Sequence, residues 1–232
     1  MFCEFVGLPG TGKTTMAFQL YKRLNQKREK SAIYPLYNLY KKKWIFRNLF
    51  KFFYVSKYII TNFNLFCEII LVIRNSNQKE FKNNILLLFN FLFFLSIKER
   101  YRNSDNVVIL DEGIIHHVWA VCVNSQYQSA YTLFDKLFET PEITVKIECP
   151  ISLVTSRLTF RNRTGRRQMS FISNIKDVSD CMDDLTHYFK STFYLNFISV
   201  RNEIESDIDR CCDEIILEIY NHNKTRVENN NC

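Results

Sequence analysis

The chain of 232 residues is 47% hydrophobic, which suits one large domain with an ample core. Its eight cysteines show no CxxC pair and no repeated spacing, so the sequence excludes a zinc module and an extracellular disulfide framework and favours a cytoplasmic protein. Residues 1–110 hold 18 Lys and Arg against 6 Asp and Glu, a net charge of +12, so the rest of the chain carries −5 of the total of +7. A basic half attracts anionic partners, although the same charge could come from solvated lysines on helix surfaces.

The N-terminal segment predicts a strand, a loop and a helix. Phe2–Val6 is an apolar run directly after the first residue, so we expect no signal peptide. Thr14–Leu24 has apolar residues at helical spacing. A second strand is predicted at Ala32–Leu36, where Pro35 favours an edge or a strand-end position.

The middle of the chain predicts helices and no membrane span. Residues 39–102 contain no Gly or Pro, which favours several helices with polar breaks near residues 61–64 and 75–78. The apolar run Ile85–Ile97 is too short for a bilayer core of roughly 30 Å. The longer run Phe52–Ile73 is interrupted by polar residues whose burial in hydrocarbon is costly, namely Lys57, Asn62, Asn64 and Glu68.

The second half alternates predicted strands and helices. Val107–Leu110 is a short apolar run typical of a parallel strand buried on both faces. The further expected elements are helices at 114–123 and 129–138, a strand at 143–147, a helix at 151–160, a polar break at 161–167 that resembles a mobile lid, a helix at 173–194, a strand at 197–200, a terminal helix capped by Ser206 or Asp207, and a loose tail at 222–232. This alternation predicts one α/β domain with a largely parallel sheet and right-handed crossovers.

The segment GLPGTGKT at Gly7–Thr14 matches the phosphate-binding pattern GxxxxGK[ST] between an apolar strand and a helix. Its backbone N–H groups and the positive end of the helix can surround a β-phosphate. Lys13 is expected to bridge the β- and γ-phosphates of ATP, and the Thr14 hydroxyl to ligate Mg²⁺. The predicted nucleotide-binding set at this loop is Gly7, Pro9, Gly10, Thr11, Gly12, Lys13, Thr14 and Thr15.

Asp111 and Glu112 follow the buried strand, at the edge of a doubly wound sheet where ligands bind. Asp111 could orient Mg²⁺ through water, and either carboxylate could take a proton from an acceptor hydroxyl or polarise a water. His116 and His117 come one turn later, and we do not place them in the site because tandem histidines at a helix start are more often surface or capping residues.

The third candidate feature is a set of arginines whose guanidinium groups suit phosphate oxygens. On a lid, such a group can stabilise the charge of a phosphoryl group in transfer. A solubilising basic loop is the plain alternative. The set consists of Arg157, Arg161, Arg163, Arg166 and Arg167.

Together, GLPGTGKTT, the acidic strand and ECPISLVTSRLTFRNRTGRR resemble nucleoside and nucleotide kinases, thymidylate kinases especially. The resemblance covers residues 1–36 and 104–221 and implies a P-loop NTPase fold with a five-stranded parallel sheet of order 2-3-1-4-5, a helical insertion at 39–102 and an arginine-rich lid at 161–172. It implies that Arg157 and the loop from Arg201 to Glu203 border the adenine, and that Arg163 and Arg166 lie near the transferred phosphate.

One departure from that family concerns the acceptor. Thymidylate kinases carry Asp-Arg after the acidic strand, whereas this chain has Asp111-Glu112-Gly113, so the arginine expected to bind an acceptor monophosphate is absent from that position. Small bacterial P-loop kinases resemble the chain in having Asp-Glu-Gly there. A sugar or another small hydroxyl compound is therefore as reasonable an acceptor as a nucleotide.

The segment 41–57 places Lys43, Arg47 and Lys51 on one helical stripe among aromatic residues. It could line the acceptor pocket, lie on an anionic membrane surface, or simply pack on the core with solvated lysines.

The leading hypothesis is an ATP- and Mg²⁺-dependent phosphotransferase. The alternatives are a P-loop ATPase that switches a partner or membrane contact and, last, a polynucleotide 5′-kinase, since no nucleic-acid module is found. A homodimer is left open.

Overall fold

The computed structural model describes residues 1–26, 31–76, 81–124, 141–163, 174–193, 196–204 and 207–230. Its centre is a five-stranded sheet of order β2-β3-β1-β4-β5 in which every neighbouring pair of strands is parallel. This confirms the sheet order that the sequence implied. The strands are β1 (Phe2–Val6), β2 (Ala32–Ile33), β3 (Val107–Leu110), β4 (Ile143–Glu148) and β5 (Phe197–Arg201).

Helices cover both faces of the sheet. The described helices are α1 (Lys13–Gln26), α2 (Pro35–Tyr40), α3 (Trp44–Thr61), α4 (Phe63–Asn75), α5 (Phe81–Tyr101), α6 (Ile114–Asn124), α7 (Ile151–Arg163), α8 (Ile175–Phe193) and α9 (Asp207–Asn230). One apolar core joins the sheet to α3–α8, and a second joins it to α1 and α9. The strands serve both cores because successive side chains point to opposite faces, as Phe2 and Val6 do on one side and Cys3 and Phe5 on the other.

The middle segment folds as the predicted helical insertion. The break between α3 and α4 falls at Asn62 and the end of α4 at Asn75, both within the expected polar breaks. No single helix in the described ranges is long and apolar enough to cross a membrane, and only α3 and α4 together, bent by 109°, have the required length and composition.

Three predicted boundaries differ from the structure by more than two residues. The expected strand at 32–36 is only two residues long, because Pro35 occupies the first turn of α2, where its fixed φ and missing N–H are tolerated. The helix expected to end at Phe160 continues to Arg163, so the predicted lid begins inside α7. The C-terminal helix reaches Asn230 rather than leaving a loose tail after residue 221, because an established helix gains a hydrogen bond with each added residue. The helix expected at 129–138 lies outside the described residues.

A buried carboxylate holds the start of α6. Glu4, on β1, accepts a hydrogen bond from the Ile114 backbone N–H at 2.7 Å, and the Lys98 ammonium lies 3.4 Å from its other oxygen. Gly113 packs against this side chain so closely that an added Cβ would lie 2.6 Å from the Glu4 Cβ. The glycine of the Asp-Glu-Gly segment is therefore a packing requirement of Glu4.

We expect Gly113→Ala to lower the free energy of unfolding by about 1–3 kcal/mol, the usual cost of overpacking a closed site. Urea unfolding measures this change. The matched control is the cycle with Glu4→Gly, which removes the Cβ as well as the carboxyl group, so the double variant should lose less stability than the two single losses added together. Unchanged stability of Gly113→Ala would show that the contact with Glu4 does not constrain residue 113.

Candidate active site

The loop between β1 and α1 has the backbone of an anion cradle. Gly7, Gly10 and Gly12 have φ angles of 150°, 94° and 99°, which side chains other than glycine rarely adopt. A Cβ at Gly7 would also lie 2.8 Å from the Ile147 carbonyl oxygen. Because α1 begins at Lys13, directly after the loop, its positive N-terminal end adjoins the cradle.

The Lys13 side chain folds back over this loop. Its buried ammonium donates to the carbonyl oxygens of Gly7 at 2.6 Å and Leu8 at 3.0 Å. The Thr11 hydroxyl donates to the same Leu8 carbonyl at 2.9 Å. These bonds hold a positive charge where phosphate oxygens would bind, so Lys13 can exchange carbonyl partners for phosphate oxygens.

Thr14 and Asp111 connect the loop to β3. The Thr14 hydroxyl donates to Asp111 Oδ2 at 2.9 Å, across 97 residues of sequence. Asp111 is fully buried, and burial followed by the nearby charge of Glu112 raises its pKa, against the lowering effects of the Thr14 and Tyr34 hydroxyls and of Lys13. One hydroxyl and one carboxylate are the protein ligands that Mg²⁺ uses beside substrate phosphates and water, so these residues fit the predicted metal role.

A cavity of about 350 Å³ lies beyond Asp111, between the end of β3 and the helices of the insertion. Glu112 lines this cavity and its side chain is about half exposed, whereas Asp111 is not among the lining residues. The polar lining is Arg47, Asn48, Lys51, Asn90, Glu112 and His117, and the apolar lining includes Leu36, Leu39, Phe93, Phe94, Ile97 and Leu110. The cavity therefore adjoins the end of β3 that leads into Asp111.

The cavity is cationic on one side. Lys51 lies 4.9 Å from the centre of the Phe93 ring. Burial lowers the Lys51 pKa, Glu112 counteracts this shift and Arg47 adds to it. His117 packs between the rings of Phe91 and Phe94, and burial lowers its pKa to about 3, so this histidine is neutral at physiological pH.

His116 lies beside Glu112. Its Nε2 lies 3.8 Å from Glu112 Oε1. Burial lowers the His116 pKa far below its ordinary value, so the pair is not an ion pair at neutral pH. His116 therefore packs beside Glu112 without neutralising it.

The opposite side of the loop is connected to α7 and to the residues after β5. The Arg157 guanidinium donates to the Gly10 carbonyl at 3.3 Å and to the Glu203 carbonyl at 3.2 Å. Asn202, which is buried, donates from Nδ2 to the Thr11 carbonyl at 2.7 Å. Arg157 and Asn202 thus connect the glycine loop, α7 and the residues after β5.

The other predicted site residues lie elsewhere. Pro9 is partly exposed and Thr15 is exposed at the start of α1. The Arg201 side chain is 70% exposed and pairs with Glu203, so its predicted nucleotide contact stays a prediction. The side chains of Arg161 and Arg163 at the end of α7, and all of Arg166 and Arg167, lie outside what the structure describes, and their roles stay predictions.

Sequence reasoning left three site residues unassigned or open. His117 was set aside, yet it lines the cavity, and only its place one turn after the acidic strand could have indicated this. For Arg47 and Lys51, the acceptor pocket is one of three interpretations of segment 41–57, and both residues line the cavity. Lys43 does not accompany them, because it is exposed and precedes α3.

The sheet order and the glycine loop define a P-loop domain of kinase-like fold. Among solved structures, two of deoxyadenosine kinase from M. mycoides are similar: one with the products dCMP and a flexible dCDP, at 14% identity and TM-score 0.57, and one with bound dATP, at 12% identity and TM-score 0.51. Each similarity covers 95% of this chain and 100% of the other.

Thymidylate kinase from Ehrlichia chaffeensis is 15% identical over 94% of this chain and 98% of its own, with a TM-score of 0.49 that is too low to support an argument. No family model and no curated protein matches the chain. At these identities the likeness establishes the fold alone.

We expect Lys13→Ala to reduce nucleotide turnover at least about a hundredfold, as loss of one charge-stabilising donor typically does. Lys22→Ala removes an exposed lysine from the same helix and is the matched control. Steady-state turnover and urea unfolding should separate the two effects, with activity lost and the fold retained. Wild-type turnover in Lys13→Ala would remove the loop from the mechanism.

We expect Asp111→Asn to abolish Mg²⁺-dependent turnover while stabilising the nucleotide-free protein at pH 8 by about 0.5–2 kcal/mol. A carboxyl whose pKa is raised by folding loses stability as pH rises above its unfolded pKa, because the folded state retains the proton longer. The gain should therefore be smaller at pH 5 than at pH 8, because lowering the pH protonates Asp111 in the folded state sooner than in the unfolded state. Urea unfolding at both pH values, with exposed Asp105→Asn as control, checks this; an equal loss of stability at both would contradict it.

Proposed function

We propose that the protein is an ATP- and Mg²⁺-dependent phosphotransferase that moves the γ-phosphate to a small-molecule acceptor. The observation that carries this proposal is the shared edge of the sheet. The glycine loop ends in Thr14, Thr14 bonds to Asp111, and the next residue, Glu112, lines a cavity of a size suited to a small molecule. A donor cradle and an acceptor cavity on either side of one carboxylate pair are what direct transfer requires.

The donor side supports ATP. The cradle offers Lys13 and the start of α1 to phosphates, and Arg157 with Asn202 encloses the far side. The similar deoxyadenosine kinase structure contains bound dATP, which agrees with a purine nucleotide as a ligand of this fold. Bound Mg²⁺ would neutralise charge between the β- and γ-phosphates, and Thr14 and Asp111 are the residues that would hold it. Arg163 and Arg166 are proposed to approach the transferred phosphate.

Glu112 is the proposed general base. Asp111 is buried, accepts the Thr14 hydroxyl and has a raised pKa, so it suits a fixed supporting role. Glu112 reaches the cavity and can accept a proton from an acceptor hydroxyl placed there. Because the neighbouring His116 is neutral, it does not form an ion pair with the Glu112 carboxylate.

The acceptor remains one of three classes: a sugar-like compound, another hydroxyl compound or a nucleotide. Arg47 and Lys51 favour an acceptor that carries negative charge, and Phe93 gives the cavity an apolar ring surface. Arg47 and Lys51 supply positive charge to the cavity wall, although this chain lacks the Asp-Arg pair of thymidylate kinases. A polynucleotide is disfavoured because the cavity has a volume of only about 350 Å³. A nucleotide-switched ATPase is the alternative to phosphate transfer.

The direct test is transfer of labelled γ-phosphate from ATP across a panel of nucleosides, nucleoside 5′-monophosphates, sugars and sugar phosphates. We expect a labelled product with at least one hydroxyl acceptor, and faster transfer to an anionic acceptor than to its neutral counterpart. Lys13→Ala is the negative control. If ATP is only hydrolysed, at a rate that no acceptor changes, the kinase proposal is wrong and the ATPase alternative is favoured.

With an acceptor from that panel, we expect Glu112→Gln to lower kcat by about 10²–10⁴, the usual contribution of a positioned base, while ATP binding is retained. Glu99→Gln, which neutralises a half-exposed carboxylate on α5 outside this cavity, is the matched control. Single-turnover kinetics and calorimetric ATP binding separate chemistry from affinity. Loss of ATP binding together with rate would assign Glu112 to the donor site.

A further inference from the structure

The outer surface of α3 is almost entirely apolar. Six of its side chains are between 62% and 68% exposed: Trp44, Ile45, Phe46, Leu49, Phe52 and Phe53. Ile60, near the C-terminal end of the helix, is 80% exposed. Exposed apolar area of this extent marks an interaction surface on a folded protein, whereas single exposed residues do not.

The orientation of α3 is the reverse of an ordinary surface helix. Its polar residues Arg47, Asn48 and Lys51 point inward and line the acceptor cavity. If α3 were rotated to bury its apolar face, Arg47 and Lys51 would no longer line the cavity. The apolar face of α3 therefore points away from the cavity and is exposed at the surface.

Neighbouring helices extend the same surface. Phe63 and Leu71 of α4 and Ile85 and Leu86 of α5 are each more than half exposed. The other large apolar side chains with high exposure in the described residues are isolated ones on α7, α9 and the loop after β5, namely Ile151, Phe160, Leu217 and Ile204. The apolar exposure is thus concentrated on the insertion.

The charged residues on α3 and directly before it are all basic, while the exposed Glu68 lies on α4. Residues 31–67 contain six Lys or Arg and no Asp or Glu. Lys41 and Lys42, directly before α3, lie over the rings of Tyr37 and Phe50 at 4.1 and 4.3 Å, with their charged ends beside aromatic surface. Pairing with a second copy would bring these cations together, whereas an anionic surface complements them.

The packing of α3 favours a contact that lies on a bilayer over one that crosses it. The helix packs against α5 through its inner face, so lipid cannot surround it. It also meets α4 at 109°, which leaves no straight apolar segment of sufficient length among the described helices. A helix with one apolar face, aromatic residues and flanking lysines suits the headgroup region.

We propose that the outer face of α3, continued by the start of α4, docks on an anionic lipid bilayer. Its apolar side chains enter the boundary between headgroups and acyl chains, and Lys41, Lys42 and Lys43 contact anionic headgroups. Docking places the outer side of the acceptor wall at the membrane and leaves the cradle on β1 and α1 away from it. The surface thus holds the acceptor cavity near the lipid boundary.

The test is flotation of the full-length protein with vesicles of phosphatidylcholine containing 30% phosphatidylserine, compared with phosphatidylcholine alone. We expect binding to the anionic vesicles that weakens as salt rises from about 50 to 500 mM. Lys41→Gln/Lys42→Gln/Lys43→Gln should lower the partition coefficient by about fivefold per lysine, roughly a hundredfold in all. Lys22→Gln/Lys176→Gln/Lys190→Gln removes three exposed lysines elsewhere and should bind as wild type.

A second variant tests the apolar face. Ile45→Gln/Leu49→Gln/Phe52→Gln should abolish vesicle binding while thermal stability and its increase with ATP stay near wild type, and Leu217→Gln on α9 is the control. Absence of wild-type binding at low salt, or full binding by the apolar variant, would overturn the proposal. So would a wild-type dimer by light scattering that this variant converts to a monomer without any vesicle binding in either form.

Discussion

The hydrogen bond from Thr14 to Asp111 determines the arrangement of the whole site. It is possible because β1 and β3 are parallel neighbours with Glu4 level with Leu110, so the segments after both strands meet at one edge. Burial of Asp111 at this edge raises its pKa, although the Thr14 hydrogen bond lowers it, and this burial costs stability in the protein without nucleotide. That cost is understandable if the carboxylate supports a cation between the donor phosphates and the acceptor cavity.

The helix α3 relates the site to the outside of the molecule. Arg47 and Lys51 face inward to the cavity, and the opposite face carries the exposed apolar residues. Substrate recognition and surface chemistry are therefore encoded by two faces of one helix. A change that rotated or melted α3 would disturb both, whereas conservative changes on its outer face leave the cavity lining intact.

Much of the fold was predictable from local signals. Buried parallel strands are short apolar runs, and the glycine loop has a fixed pattern, so β1, β3, β4 and the loop were located correctly. The short β2 was not, because Pro35 is compatible with both a strand end and a helix start. The inward orientation of Arg47 is a tertiary property that contradicts the usual exposure of a polar helical stripe. The reason for Gly113 depends on its contact with Glu4, which is distant in sequence.

The most direct test of the account is calorimetric titration with a non-hydrolysable ATP analogue, with and without Mg²⁺, on wild type and Thr14→Ala. If Thr14 and Asp111 hold the cation beside the phosphates, Mg²⁺ should strengthen binding to wild type at least about tenfold, and Thr14→Ala should lose most of this gain while retaining the cation-free affinity. An affinity that is the same with and without Mg²⁺, or a gain that survives in Thr14→Ala, would contradict the central claim.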